Sequence, residues 1–82
     1  MTSRSDIIAT LAGLLGPFNT ANVELKADTD ISADLNIDSV TVMDFVMEVE
    51  DHFDIEIPLN VLSETRTLDD LAAVVEARIK KA

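Results

Sequence analysis

An Asp-Ser pair at positions 38 and 39 is the feature of this sequence best placed to do chemistry. The pair stands at the start of a predicted helix, where free backbone N–H groups and the helix dipole stabilise an anion. Either side chain can also cap that helix through its oxygen. Ser39 is therefore a simple cap or the point at which the chain bears an anionic group, and most serines at helix starts are only caps.

A calcium-binding loop is one alternative, because oxygen-bearing side chains imitate the start of an EF-hand loop at Asp28, Asp30, Ser32 and Asp34. Ala33, however, occupies the position at which such a loop turns on a glycine, and Ser39 occupies that of the bidentate Glu. The pattern therefore predicts no specific metal site. The carboxylates still attract divalent cations loosely, since such binding relieves their mutual repulsion.

An enzyme is a second alternative, and few residues support it. His52 is the only histidine, cysteine is absent, and the sequence has no glycine-rich phosphate loop. A lone histidine on an acidic helix is more often a surface residue than a catalytic one. We therefore predict a protein without catalytic activity.

The charge of the chain is strongly negative and unevenly placed. The 82 residues carry a formal net charge of -10, and no Lys or Arg occurs between Ala27 and Thr65. Such a surface repels nucleic acids and anionic lipids and attracts basic protein surfaces, although solubility alone would also explain it. We predict protein partners with basic surfaces, no nucleic acid and no stable membrane insertion.

Length and composition predict a single domain over residues 1–82 that acts as a monomer. No apolar run is long enough to span a bilayer, and the N-terminal segment lacks the pattern of a signal peptide. The absence of cysteine excludes a disulfide framework and is compatible with a reducing compartment. A cytoplasmic location is the expectation.

Helical periodicity predicts an all-α fold with three long helices, one short helix and a long loop between the first two. The predicted helices cover residues 5–15, 39–53 and 59–64, and a last helix follows Thr67. Gly16-Pro17 is expected to end the first helix, and the Thr67 hydroxyl to cap the last. No segment has the alternating pattern of a convincing strand.

The second helix has more apolar residues than one buried face needs. One set has the spacing of a core-facing stripe: Val42, Phe45, Val46, Val49 and Phe53. A second set occupies a neighbouring face: Val40, Met43 and Met47. Carboxylates lie beside this second set: Asp44, Glu48 and Asp51. The second set is either buried against another neighbour or exposed toward a partner, and the pattern favours neither.

The run Asp34-Leu35-Asn36-Ile37-Asp38-Ser39-Val40 resembles the signature of acyl carrier proteins, in which Asp-Leu-Gly-x-Asp-Ser-Leu opens the second helix. The resemblance continues along the acidic and apolar helix to Phe53 and closes with Ile55-Glu56-Ile57-Pro58. In layout it covers the whole chain, and it is specific from Asp34 to Pro58. It implies a small acyl-carrier-like bundle.

The resemblance implies that Ser39, with Asp38 beside it, receives 4′-phosphopantetheine covalently from coenzyme A through a separate transferase. The thiol of this arm would carry acyl groups as thioesters for enzymes of fatty acid, lipid or polyketide biosynthesis. Basic patches of the phosphopantetheinyl transferase and of acyl-loading and acyl-transferring enzymes would dock on the second helix, at Val40, Met43, Asp44, Met47, Glu48 and Asp51. Residues that could line an acyl chain, and that equally suit a plain core, are Phe45, Val46, Val49, Phe53 and Val61.

The chain departs from the signature at Asn36, which replaces Gly but tolerates the left-handed backbone region. Val40 replaces Leu, and Asp54 stands where Gly is common. These differences favour a specialised, free-standing carrier over a housekeeping role in fatty acid synthesis. Two other functions stay open: a peptidyl or aminoacyl carrier, and an acidic adaptor that lacks the arm and does not need Ser39.

Overall fold

Four α-helices make up most of the fold. The computed structural model describes residues 3–20 and 22–81, with side chains through residue 79, and these helices are counted within those ranges. The helices are α1 (Arg4–Leu15), α2 (Ser39–Phe53), α3 (Leu59–Leu62) and α4 (Leu68–Lys81). These described residues form no strand, and a single β-bridge joins Asp30 to Thr67. The predicted all-α fold of three long helices and one short helix is confirmed.

Helix α1 begins one residue earlier than predicted, because Ser3 caps it. The Ser3 hydroxyl accepts a hydrogen bond from the Asp6 N–H at 3.2 Å, and the Asp6 carboxylate accepts one from the Ser3 N–H at 3.4 Å. This reciprocal pair is a capping box. The α-helix ends at Leu15 as predicted, but the chain continues as a 3-10 turn over Gly16–Phe18, since the fixed φ of Pro17 suits the start of such a turn.

The predicted cap of α4 is confirmed. The Asp70 N–H donates to the Thr67 hydroxyl at 3.0 Å, while the Asp70 carboxylate accepts from the N–H groups of Thr67 and Arg66, both at 3.2 Å. Helix α3 is shorter than predicted and ends at Leu62, because the chain tightens into turn hydrogen bonds such as Thr65 N–H to Leu62 carbonyl.

The core lies where α1 packs against α4 and α2. Its buried apolar residues come from all three long helices and from both loops between them: Ile7, Leu11, Leu15, Ile31, Leu35, Phe45, Val46, Val49, Ile57, Leu68, Leu71, Ala72 and Val75. The predicted core stripe of α2 is buried at its centre and half-buried at its two ends, Val42 and Phe53.

The long loop between α1 and α2 is held against α4 by backbone hydrogen bonds. The Ile31 N–H donates to the Arg66 carbonyl at 2.9 Å, and the Leu68 N–H donates to the Thr29 carbonyl at 3.2 Å. Thr29 is buried, and its hydroxyl accepts from the Lys26 N–H at 2.7 Å and donates to the Glu24 carbonyl at 3.3 Å. These hydrogen bonds hold the loop in place and so fix the position at which the chain enters α2.

Asp54 adopts the left-handed conformation at the end of α2, with φ 55° and ψ 51°. A residue with a side chain is strained there, whereas glycine is not. We expect Asp54→Gly to raise the free energy of unfolding by about 0.5 to 1 kcal/mol, because relief of strain exceeds the entropy that glycine adds to the unfolded chain. Urea unfolding at neutral pH measures the change.

Asp54→Ala is the matched control for this prediction, since it removes the same charge but keeps the Cβ atom. We expect it to lower the free energy of unfolding, because alanine tolerates a positive φ less well than aspartate does. A glycine variant no more stable than the alanine variant would contradict the strain at this position.

Candidate functional site

Asp38, and not Ser39, caps α2. The Asp38 carboxylate accepts a hydrogen bond from the Thr41 N–H at 2.9 Å, and Ser39 is the first residue of the helix. That backbone hydrogen bond lowers the pKa of Asp38 below its ordinary value, because it stabilises the ionised carboxylate. Asp38 therefore has the capping role, and capping does not account for the serine at position 39.

The Ser39 side chain is exposed at the start of α2. Within the described residues the Ser39 hydroxyl makes no hydrogen bond that would stabilise the fold. It therefore stands in solvent beside the free N–H groups of the first helical turn, where the negative charge of a phosphodiester is favoured by the helix dipole. This position suits a hydroxyl that receives a phosphate-bearing group.

The segment that precedes Ser39 is shaped by its own carboxylates. Asp30 accepts hydrogen bonds from the N–H groups of Ser32 and Ala33 at 3.1 and 2.9 Å, and the Asp30 N–H donates to the Asp34 carboxylate at 2.8 Å. These carboxylates stabilise turns, and no group of three or more metal-ligating side chains occurs among the residues described.

Asn36 turns the chain into α2 in the left-handed region, with φ 53°. The sequence predicts that asparagine tolerates this conformation, and the prediction is confirmed. Buried Leu35 and half-buried Ile37 flank it and hold the turn to the body of the protein.

An open cleft is lined by residues of α2, of α3 and its end, and of the loop before α2, and Ser39 is one of them. It has a volume of about 510 Å³ and is lined by Ser32, Ile37, Ser39, Val42, Met43, Leu59, Leu62 and Ser63. The lining contains hydroxyl groups and apolar side chains but no ionisable group. A flexible, largely uncharged chain attached at Ser39 can lie in it without burying an unpaired charge.

The second apolar set of α2 is exposed and is therefore not buried against a neighbouring helix, while its contact with a partner stays a prediction. The exposed fraction is 66% for Val40, 47% for Met43 and 62% for Met47. Asp44, Glu48 and Asp51, the three carboxylates beside this set, are exposed as well. The predicted partner-recognition residues therefore share one surface that adjoins Ser39. Phe45 and Val49, which would either line an acyl chain or belong to a plain core, are completely buried.

Leu59 escaped the sequence interpretation, although 68% of its side chain is exposed. Residue 59 opens a helix of four residues directly after Pro58, and so short a helix has no room to bury every apolar side chain it carries. The shortness of the predicted helix, residues 59–64, was the available signal. His52, by contrast, is an exposed residue whose ring contacts Phe53 edge to face at 4.9 Å between centroids.

Comparison with known proteins places the chain in a family. Residues 5–75 match the family model described as "Phosphopantetheine attachment site". The chain belongs to the acyl carrier protein family. A probable acyl carrier protein of Caulobacter vibrioides is 43% identical over 53 residues, which cover 65% of this chain and 62% of that protein. The mitochondrial acyl carrier protein of Saccharomyces cerevisiae is 36% identical over 52 residues, 63% of this chain and 42% of that protein.

The match to these two acyl carrier proteins spans less than two thirds of their own length. An acyl carrier protein of Kocuria rhizophila aligns more fully, with 27% identity over 77 residues that cover 93% of this chain and 95% of that protein. Covalently attached 4′-phosphopantetheine is the cofactor that this membership assigns to the chain. The exposed Ser39 hydroxyl and the uncharged cleft beside it fit such an arm.

No helix in the described ranges, 3–20 and 22–81, is both long and apolar enough to cross a membrane.

Acid is expected to weaken the capping box of α4. Hydrogen bonds from the N–H groups of Thr67 and Arg66 lower the pKa of Asp70 below its ordinary 3.8. A depressed pKa means that the stabilisation is complete above the unfolded value and is lost as pH falls through the folded value. We expect Asp70→Ala to lower the free energy of unfolding by about 0.3 to 1.5 kcal/mol at pH 7. The difference from the parent should shrink once the pH falls below about 3.8.

Urea unfolding at pH 7, 5 and 3 tests this expectation. Thr67→Ala serves as the control, because the hydroxyl it removes from the same capping box does not titrate. The cost of Thr67→Ala should vary little with pH, and a cost of Asp70→Ala that is equally constant would contradict the role of the ionised carboxylate.

Proposed function

We propose that this chain, as one carrier domain over residues 1–82, tethers acyl groups on a 4′-phosphopantetheine arm attached to Ser39. The observation that carries the proposal is that the two residues at the start of α2 have different roles. Asp38 caps the helix through Thr41, so the Ser39 hydroxyl is left exposed and without a structural task, in the lining of an uncharged cleft.

Loading of the arm is a transfer from coenzyme A. The Ser39 Oγ forms a bond to the phosphorus nearest the pantetheine, the diphosphate bond of coenzyme A breaks, and the hydroxyl proton and the nucleotide half depart. The carrier contributes the exposed nucleophile and the helix N-terminus that stabilises the resulting phosphodiester anion. We assign the base that takes the proton to the transferase, because no ionisable side chain lines the cleft at Ser39 and the neighbouring Asp38 carboxylate is engaged by the Thr41 N–H. When bound, the arm supplies a thiol that holds an acyl group as a thioester.

The surface beside Ser39 gives partner enzymes a place to bind. Exposed Val40, Met43 and Met47 provide apolar contact, and Asp44, Glu48 and Asp51 attract cations. An apolar strip edged by carboxylates combines electrostatic steering with a small hydrophobic contact. The phosphopantetheinyl transferase and the enzymes that load and transfer acyl groups would bind here, with the carrier acting as a monomer.

An acyl cargo of fatty acid, lipid or polyketide biosynthesis suits the cleft better than an aminoacyl cargo. The residues that line it carry hydroxyl and apolar groups only, so no carboxylate in it pairs with an ammonium group. Burying an unpaired ammonium is unfavourable, whereas burying a hydrocarbon chain is favourable.

Intact-mass measurement tests the attachment. The protein is incubated with coenzyme A and a promiscuous phosphopantetheinyl transferase, beside Ser39→Ala and the control Ser63→Ala, which changes another hydroxyl that lines the same cleft. We expect one phosphopantetheine on the parent and on Ser63→Ala, and none on Ser39→Ala. An unmodified parent, with the transferase active on another carrier, or a modified Ser39→Ala variant would overturn the proposal.

A further inference from the structure

A second hydroxyl, from the loop before α2, lines the same cleft as Ser39. It belongs to Ser32, which is exposed. One oxygen of the Asp30 carboxylate accepts hydrogen bonds from the Ser32 N–H at 3.1 Å and from the Ser32 hydroxyl at 3.3 Å. These two bonds fix the place and the direction of a hydroxyl that the attachment at Ser39 does not use.

The turn that contains Ser32 brings it back to the chain just before α2. The Ile37 N–H donates to the Ser32 carbonyl at 3.1 Å, and the Asn36 N–H donates to the Ala33 carbonyl at 3.3 Å. With Asn36 in the left-handed region, this pair of bonds is the Schellman pattern that ends many helical turns. Ile37 also lines the cleft and precedes Ser39 by two residues, so Ser32 is tied by backbone to the start of the arm.

The Ser32 hydroxyl is available as an acceptor and not as a donor. A serine hydroxyl has one proton and two lone pairs. Hydrogen bonds from the Ala33 N–H and from Ser32 lower the pKa of Asp30 below its ordinary value, so the carboxylate is ionised and only accepts. The proton of Ser32 is therefore used on Asp30, while the lone pairs of its oxygen stay free. A hydroxyl that donates to a carboxylate is also polarised into a better acceptor.

An acceptor in this cleft matters because the arm carries two amide groups. Apart from its serines, the lining consists of apolar side chains and one methionine, which leave an amide N–H without a good partner. An unpartnered N–H in such surroundings costs free energy, whereas one paired with Ser32 does not. The amide carbonyls have no free side-chain donor in the lining and face the water of the open cleft.

We propose that the Ser32 hydroxyl accepts a hydrogen bond from an amide N–H of the arm attached to Ser39 and thereby holds the arm in the cleft. Ser32 is a positioning residue, and Asp30 acts through it by fixing the direction of the hydroxyl. The turn formed by these carboxylates thus presents a ligand to the arm. The inference rests on the proposed attachment at Ser39 and adds to it a contact and a direction for the arm.

Exchange of the amide protons of the arm with solvent tests the contact. The carrier is loaded with 4′-phosphopantetheine labelled with ¹⁵N at both amides, and each N–H is followed by NMR in the parent, Ser32→Ala and Ser32→Thr. We expect one amide of the parent to exchange about 2- to 10-fold more slowly than in free 4′-phosphopantetheine. Ser32→Ala should lose this protection, and Ser32→Thr should keep it because it retains a hydroxyl.

Ser63→Ala is the matched control, since it removes another hydroxyl from the same lining. The Ser63 hydroxyl donates to the Asn60 carbonyl at 2.8 Å, a bond that folds a serine side chain back onto its own helix. We expect this variant to keep the slow exchange. Equal loss of protection in Ser63→Ala and Ser32→Ala would overturn the inference, because the cleft would then protect the arm without a specific acceptor.

Two further results would also overturn the role of Ser32. One is exchange of both amides in the parent at the rate of free 4′-phosphopantetheine, and the other is protection that persists in Ser32→Ala. Urea unfolding of each variant before loading shows that the fold is kept, and a Ser32→Thr variant that loses protection while folded contradicts the inference independently. An intact mass that shows no arm on the parent would instead refute the attachment at Ser39.

Discussion

Phe45→Ala is expected to lower the free energy of unfolding by about 3 to 5 kcal/mol, the largest effect of any single truncation in α2. Phe45 is completely buried, and its ring packs edge to face on Phe18 with 6.1 Å between centroids. Truncation removes the transfer free energy of the ring and leaves a cavity between α2 and the 3-10 turn after α1. Urea unfolding followed by circular dichroism measures the loss.

The size of this loss matters because the protein is small. A domain of 82 residues has a total stability of roughly 4 to 12 kcal/mol, so the variant should be partly unfolded at room temperature or close to it. Phe18→Ala is the comparison: its ring is half-buried, and we expect a smaller loss. The double variant should lose less than the sum of the two single losses by about 0.5 to 1.5 kcal/mol, the value of the ring pair.

A loss below about 1 kcal/mol for Phe45→Ala would contradict this account of the core. It would show that the space left by the Phe45 ring collapses or fills with other atoms. A space between helices that can open and close would behave in this way. The measurement thus also separates a plain core from one that opens to hold a cargo.

Reversal of charge on α2 is expected to cause the largest loss of partner binding. In Asp44→Lys with Glu48→Lys, two exposed carboxylates that would attract the basic side of an enzyme become repulsive. We expect kcat/KM for arm transfer by the phosphopantetheinyl transferase to fall about 10- to 1,000-fold at low salt, because steering of the encounter is lost and like charges meet on contact. Steady-state kinetics with coenzyme A as the donor measure the fall.

The control must separate position from total charge. Glu24→Lys with Asp28→Lys makes the same change of net charge in the loop before α2, where both side chains are exposed. We expect a much smaller fall for this variant, and both falls should diminish as salt is raised. Equal falls for the two double variants would show that the transferase responds to overall charge and that α2 is not its specific contact.

The sequence and the structure describe the site at different levels. The signature around Ser39 predicts where the arm would be attached, because its residue types resemble those of the family's attachment site. The structure adds that Asp38 is the cap and that the Ser39 hydroxyl is left exposed. Neither fact follows from residue types, since aspartate and serine are comparable caps and either is able to serve.

Much of the fold was readable from local pattern. Periodicity and capping residues predict the bounds of α2, the cap of α4 and the end of α1 at Leu15. Backbone preference predicts the left-handed turn at Asn36. All of these effects act within a few residues of the chain. The start of α1 and the end of α3 were displaced by one and two residues, because competing caps and turn hydrogen bonds decide helix ends.

What only the tertiary structure decided is which apolar residues face solvent. Val40, Met43 and Met47 have helical spacing whether they meet a neighbouring helix or water, so their exposure depends on where α1, α3 and α4 lie around α2. The exposure of Leu59 and its place beside Met43 in the lining of one cleft depend on how α3 packs near α2. Periodicity records which residues share a face of one helix, and only packing between helices determines whether that face is covered.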